Sequence, residues 1–188
     1  MNTVALYRSL DGRFSVHVGD ITTFSCDAIV NAANSTLLGG GGVDGAIHRA
    51  AGPALLEACK MVRSTLYPEG LPTGKAVATI AGNLPARRVI HTVGPIWRGG
   101  KHNEDALLAS CYRECMRLAR EEHLLHIAFP AISTGIYGFP RERAAHIVWQ
   151  TVQAELATNA LPRQISLIFY SEEDAGIFLR ENGLPARQ

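Results

Sequence analysis

The sequence predicts an α/β domain in which a largely parallel sheet is covered by helices on both faces, with an antiparallel hairpin at one edge. Three observations carry that prediction. Short apolar runs of strand character alternate along the chain with stretches whose apolar residues recur every three to four positions. Helical stretches follow most of the strand runs, which is the order a parallel sheet needs because each crossover must carry the chain back. The 188 residues are 47% hydrophobic and 19% charged, so one compact domain, spanning 1–188, is expected to bury about 70% of its surface without disulfides or structural metal.

The elements follow in order. Thr3 to Arg8 and Arg13 to Val18 flank Asp11-Gly12, a pair suited to a tight hairpin turn, and form the expected edge hairpin. Asp27 to Ala33 is a short apolar strand, followed by a glycine tract. A helical stretch then runs from Val43 to Lys60, broken at Gly52-Pro53 into two short helices or one kinked one. Lys75 to Ala81 and Arg88 to Val93 read as strands with a turn at Asn83 to Ala86. Asn103 opens a helix whose apolar face is Leu107, Leu108, Cys111, Cys115 and Leu118. His126 to Ile132 reads as a buried strand, and Pro140 suits the first turn of a helix carrying Ala144, Val148 and Val152. Ile165 to Tyr170 is the last strand; Ser171 with Asp174 resembles a capping box that opens a final helix through Phe178 and Leu179.

Composition removes several classes. Eighteen glycines and nine prolines are too few for a collagen or a low-complexity chain. A formal net charge of +1 gives no excess of Lys and Arg to neutralise a nucleic-acid backbone. Cys26, Cys59, Cys111 and Cys115 form no CxxC pair and read as reduced thiols. The opening MNTVALYRSLDGR lacks the pattern of a signal peptide and no apolar run spans a bilayer, so a soluble, cytoplasmic protein with no membrane partner is expected.

In an open α/β sheet, ligands bind beyond the carboxyl ends of the strands, and two loops there stand out. Six of the eighteen glycines fall between positions 39 and 52, four of them consecutive at Gly39 to Gly42. Such a tract lets backbone amides approach an anion, and the helix that follows adds the positive end of its dipole. A surface turn needs one or two glycines, so a phosphate cradle is the better reading. The second loop, Ser133-Thr134-Gly135-Ile136-Tyr137-Gly138, carries hydroxyls and glycines that could clasp the same anion from the other side. Gly40, Gly42 and Gly45 match G-x-G-x-x-G, but Asn34 to Leu38 intervene after the strand and no acidic residue ends the next one, so a dinucleotide fold fits poorly. The Walker lysine is also absent. Asn34 and Asp44 bracket the tract and are candidates for orienting a sugar hydroxyl and a water.

GDIT at Gly19 to Thr22, VNAANSTLLGGGGVDGAIHRAAGP from Val30 to Pro53, PTGKA at Pro72 to Ala76, HTVGP at His91 to Pro95 and FPAISTGIYGFP from Phe129 to Pro140 together resemble a macrodomain of the MacroD type. The resemblance implies a three-layer α/β/α module with a mixed sheet that binds ADP-ribose. It also implies deacetylation of O-acetyl-ADP-ribose and removal of mono-ADP-ribose ester-linked to acidic side chains of proteins, with a positioned water and no cofactor or metal. Carried over by motif, Asp20 would accept from the adenine amino group with Ile21 lining that pocket, and Tyr170 would flank the adenine. Gly40, Gly41, Gly42 and Val43 with Ser133, Thr134, Gly135, Ile136 and Gly138 would form two diphosphate loops. Asn34 would hold the distal ribose, Asp44 would orient or activate the attacking water, and Tyr137 would pack on that ribose and position the water. A non-catalytic ADP-ribose reader is the alternative, and contact with RNA or a regulatory protein stays open.

Ester hydrolysis needs a positioned water, a stabilised oxyanion and a leaving alkoxide that recovers a proton. An ordinary Asp, with a pKa of about 3.9, is a weak base, so Asp44 is expected to act chiefly by orientation, with the substrate phosphate as a further source of activation. Other residues have plainer readings. The seven histidines show no metal-ligand spacing; His48 reads as a packing or hydrogen-bonding residue, and Cys111 and Cys115 as core. Trp97 to Lys101 reads as a solvated loop, and Arg141 and Arg143 as exposed helix residues outside the site.

Overall fold

The computed structural model describes residues 2–186. Seven strands form one sheet: Val4–Arg8 (β1), Phe14–Val18 (β2), Ala28–Ala33 (β3), Ala76–Ile80 (β4), Arg88–Val93 (β5), His126–Phe129 (β6) and Gln164–Phe169 (β7). Five helices accompany them: Gly42–Ala51 (α1), Pro53–Thr65 (α2), Glu104–Glu121 (α3), Arg141–Thr158 (α4) and Glu172–Glu181 (α5). The strand order is β1-β2-β7-β6-β3-β5-β4. Pairing is antiparallel at both edges, β1 with β2 and β4 with β5, and parallel throughout the middle. This is the mixed, three-layer α/β/α sheet expected, with the N-terminal hairpin as one edge.

Successive residues of the central strands point to opposite faces, and each face carries its own apolar layer. Val30, Ile90, Ile127 and Leu167 pack against α3, α4 and α5 through Leu108, Cys111, Cys115, Val148 and Phe178. Their chain neighbours Ile29, Val89, Ala128 and Ile168 pack against α1 and α2 through Ile47, Leu55 and Cys59.

Several boundaries differ from expectation for local reasons. Gly52 adopts φ +81°, a conformation without penalty for glycine, and Pro53 follows as the first residue of α2, so the stretch from Val43 is two helices. The strand at His126 ends at Phe129 instead of Ile132, because Pro130 has no N–H to offer a ladder. Pro140 stands just before α4, outside its first turn, and its carbonyl accepts from Ala144 N–H at 2.9 Å. Ser171 Oγ accepts from Asp174 N–H at 3.1 Å, while the Asp174 carboxylate turns to Arg141 at 2.7 Å, so half of the capping box forms.

Candidate active site

Five strands, β2, β7, β6, β3 and β5, bring their carboxyl ends to one rim of the sheet, and the loops leaving them line a cleft of about 860 Å³. Asp20 and Ile21 follow β2, Asn34 and Gly40 to Asp44 follow β3, Gly94 follows β5, Pro130 to Tyr137 follow β6, and Tyr170 follows β7. The strands β3 and β6 are neighbours, yet the helix after β3 lies on one face of the sheet and the helix after β6 on the other. The two loops therefore part over the sheet edge and leave a crevice, the usual ligand position in such folds. Every residue expected at the site lines this cleft except Gly138, which turns the second loop at φ +72° as its N–H donates to the Gly135 carbonyl at 3.0 Å.

In the first loop the Asn34 side chain is locked locally. Its Oδ1 accepts from Thr36 N–H at 3.0 Å and from the Thr36 hydroxyl, and its Nδ2 donates to the Gly39 carbonyl at 3.1 Å. Asn34 and Asp44 converge at Gly40: a Cβ there would lie 3.2 Å from Asn34 Nδ2 and 3.3 Å from Asp44 Oδ2. One turn on, a Cβ at Gly45 would lie 2.5 Å from the Gly40 carbonyl oxygen, so the loop can settle onto α1 only over a glycine. The N-cap, Gly41, offers no side-chain acceptor to the first-turn amides of α1. Those amides and the helix dipole suit an anion.

Asp44 is 4% exposed, which rules out a purely solvated helix-dipole role. Asn31 Nδ2 donates to Asp44 Oδ1 at 2.8 Å and to His91 Nδ1 at 3.1 Å. His91 thus accepts at Nδ1 and carries its proton on Nε2, 2.9 Å from Thr79 Oγ1, whose hydroxyl in turn donates to the Ile80 carbonyl at 3.1 Å. Burial, aided by nearby His48, pushes His91 down to about 3, so it is neutral and the direction of the chain is fixed. Burial also raises Asp44 above the ordinary carboxylate value, opposed by the Asn31 N–H and by His48, whose Nε2 lies 3.5 Å from Asp44 Oδ1. A carboxylate held this way is a better base than a solvated one and has one fixed orientation.

The second loop is strained at Ser133, which adopts φ +68° and whose buried Oγ has no protein hydrogen-bond partner. Ile136 is 97% exposed and Tyr137 half-buried. The Trp97 N–H donates to the Tyr137 carbonyl at 2.8 Å, and the Trp97 ring packs on Phe139 with centroids 4.9 Å apart. The expected solvated loop holds at Arg98, Gly99 and Lys101, which are exposed, but not at Trp97, whose ring packs on the core and whose N–H meets the second loop. At the far end of the cleft Asp20 Oδ1 accepts from Thr22 N–H at 2.9 Å and from the Thr22 hydroxyl at 2.6 Å, beside buried Ile21 and exposed Tyr170. Arg49 also lines the cleft, whereas Arg141 and Arg143 are engaged with Asp174 and Asp105.

The polar chain of Asn31, His91 and Thr79 was not among the expected site residues. A signal for it exists, since an asparagine and a histidine inside apolar strands need partners, but their pairing depends on the register that sets Asn31 opposite His91. Among the described residues no three His, Cys, Asp or Glu side chains group as metal ligands, and no helix is long and apolar enough to cross a membrane.

Comparison with known proteins agrees with this geometry. Residues 30–148 match the family model for the Macro domain. An O-acetyl-ADP-ribose deacetylase of Escherichia fergusonii is 58% identical over 171 residues, covering 91% of this chain and 96% of that protein. Among solved structures, the Oceanobacillus iheyensis macrodomain with ADP superposes with a TM-score of 0.90 at 42% identity, covering 97% of each chain. The Trypanosoma brucei macrodomain in complex with ADP-ribose gives 0.81 at 36% identity, covering 90% of this chain and 68% of that one. With a matching family model over most of its length, a close relative over nearly all of it, and both glycine-bearing loops set around one cleft, the chain belongs to the macro domain family.

Proposed function

We propose that the protein is an ADP-ribosyl ester hydrolase that deacetylates O-acetyl-ADP-ribose and, by the same chemistry, releases mono-ADP-ribose ester-linked to glutamate or aspartate of other proteins. The observation that carries the reading is the convergence of Asn34 and Asp44 on Gly40, at the uncapped N-terminus of α1. The name of the E. fergusonii relative and the ADP and ADP-ribose of the structural neighbours support it.

In this reading the diphosphate lies between Gly40 to Val43 and Ser133 to Gly138, held by main-chain amides. Adenine lies toward Asp20, Ile21 and Tyr170. Asn34 holds the distal ribose beneath Tyr137. Asp44 orients a water against the ester carbonyl and accepts its proton as the water oxygen bonds to the carbonyl carbon; the bond between that carbon and the ribose oxygen then breaks, releasing the carboxylic acid, and the ribose oxygen takes the proton back from Asp44. The Asn31 amide keeps one Asp44 oxygen occupied and so directs the other, Oδ2, toward Gly40.

Release of ADP-ribose from O-acetyl-ADP-ribose and from a glutamate-linked ADP-ribosylated protein tests this. Turnover is expected, and Asp44→Ala should lower kcat by about 100-fold or more, the usual loss for a base or water-orienting group. Binding of ADP-ribose without release from either ester would establish a reader instead. Full turnover by Asp44→Ala would remove Asp44 from the mechanism.

A further inference from the structure

Outside the cleft stands a buried carboxylate with no ion-pair partner among the described residues. Glu104, the first residue of α3, is 1% exposed although residues 101–103 before it are exposed. A bare buried charge is costly, and here it is offset by main chain. Glu104 Oε2 accepts from Arg98 N–H at 3.0 Å and Gly100 N–H at 2.8 Å, and Oε1 accepts from His102 N–H at 2.5 Å. Burial favours the neutral acid, but these amides together outweigh it and hold the carboxyl at about 2. Three donors from one short turn fix that turn as a side-chain cap alone would not.

The turn begins at Trp97, and Trp97 meets the second loop behind the cleft. Its N–H donates to the Tyr137 carbonyl, its ring lies on Phe139, and the Arg143 guanidinium sits over the ring at 5.1 Å while donating to both Asp105 oxygens at 2.8 and 2.7 Å. Within the second loop the other main-chain bonds, Gly138 to Gly135 and Phe139 to Ser133, are internal. Among the described residues, the bond from Trp97 is the main-chain hydrogen bond that ties Tyr137 to a segment outside its own loop.

We propose that Glu104 is a positioning residue for the ester hydrolysis: its carboxylate ties the Arg98–His102 turn so that the Trp97 N–H holds the Tyr137 main chain and sets where the Tyr137 ring meets the distal ribose. The kinetic part of this inference rests on the proposed function. An acid serving α3 alone, through the dipole at its first turn, would leave Tyr137 unaffected.

The test combines kinetics with hydrogen exchange on the full chain. Glu104→Ala should lower kcat for O-acetyl-ADP-ribose about tenfold, with the Kd for ADP-ribose within about twofold, because displacement of a positioning group by about 1 Å costs rate more than binding. In a Tyr137→Ala background the same substitution should change kcat by less than about twofold. Amides of residues 133–139 should exchange faster in Glu104→Ala while those of 40–45 stay unchanged. Glu104→Gln, which keeps one carbonyl acceptor, should fall between the two and serves if the alanine variant does not fold. Equal kcat losses with and without Tyr137, or unaltered exchange at 133–139, would overturn the proposal. If the wild type releases no ADP-ribose, the proposed function fails, and the exchange comparison still decides whether Glu104 braces Tyr137.

Discussion

Gly45 shows how one missing atom shapes the site. Its Cα faces the Gly40 carbonyl so closely that a Cβ would stand 2.5 Å from that oxygen, with Arg49 Nη1 at 3.1 Å. Backbone, unlike the tip of a long side chain, cannot swing aside. Gly45→Ala would improve helix propensity by about 1 kcal/mol, yet it must push Gly40 away from α1 and open the gap between Asn34 and Asp44. The expected result is a folded protein whose ADP-ribose Kd rises at least about tenfold, read by calorimetry. An unchanged Kd would mean that the loop and helix are not coupled as the geometry indicates.

Among the elements, α5 depends on its first turn. Three acidic residues, Glu172, Glu173 and Asp174, sit there and favour the positive end of the helix, but a single side chain caps it. Ser171→Ala removes the acceptor for Asp174 N–H and should destabilise the protein by about 1 kcal/mol in urea unfolding. The Asp174 carboxylate is bonded to Arg141 of α4 and does not return to Ser171. It joins two helices where the sequence pattern suggested a purely local motif. Similarly, β6 is short because Pro130 follows it, and the chain released there becomes the second loop of the cleft.

Across the whole molecule, buried groups set the response to acid. His91 and His17 are buried and held at about 3 and about 4, both by desolvation first, with His48 adding to it at His91 and Arg8 and His126 at His17. Both pKa values are depressed from 6.5, so between that pH and the folded values the unfolded chain binds protons that the folded one refuses. The contribution of these two histidines therefore stays level above pH 6.5 and falls as pH drops below it, by up to about 1.4 kcal/mol per pH unit for each. Glu104 adds to the loss lower down, since its depressed carboxyl contributes stability above about 4.5 that disappears toward about 2. Asp44, whose carboxyl is raised by burial, works in the opposite direction to both, since its penalty on the folded state is relieved as pH falls. Urea unfolding midpoints that fail to decline between pH 6.5 and 5 would contradict the buried, neutral state of both histidines.

The sequence was enough for the order of elements, the largely parallel sheet, the break at Gly52-Pro53 and the two glycine-bearing loops, because these follow from sterics and apolar periodicity within a few neighbouring residues. The placement of Asn34 and Asp44 at the cleft was legible for the same reason, since they flank the glycine tract. The partners of buried polar groups were not. Asn31 meets His91 sixty positions away through strand register, and Trp97 meets Tyr137 forty positions away. A segment's periodicity says which face is buried, but not which donor lies opposite a buried acceptor. That pairing is settled when the two apolar layers close on the sheet and fix every register at once, and with it the orientation of Asp44 and the footing of Tyr137.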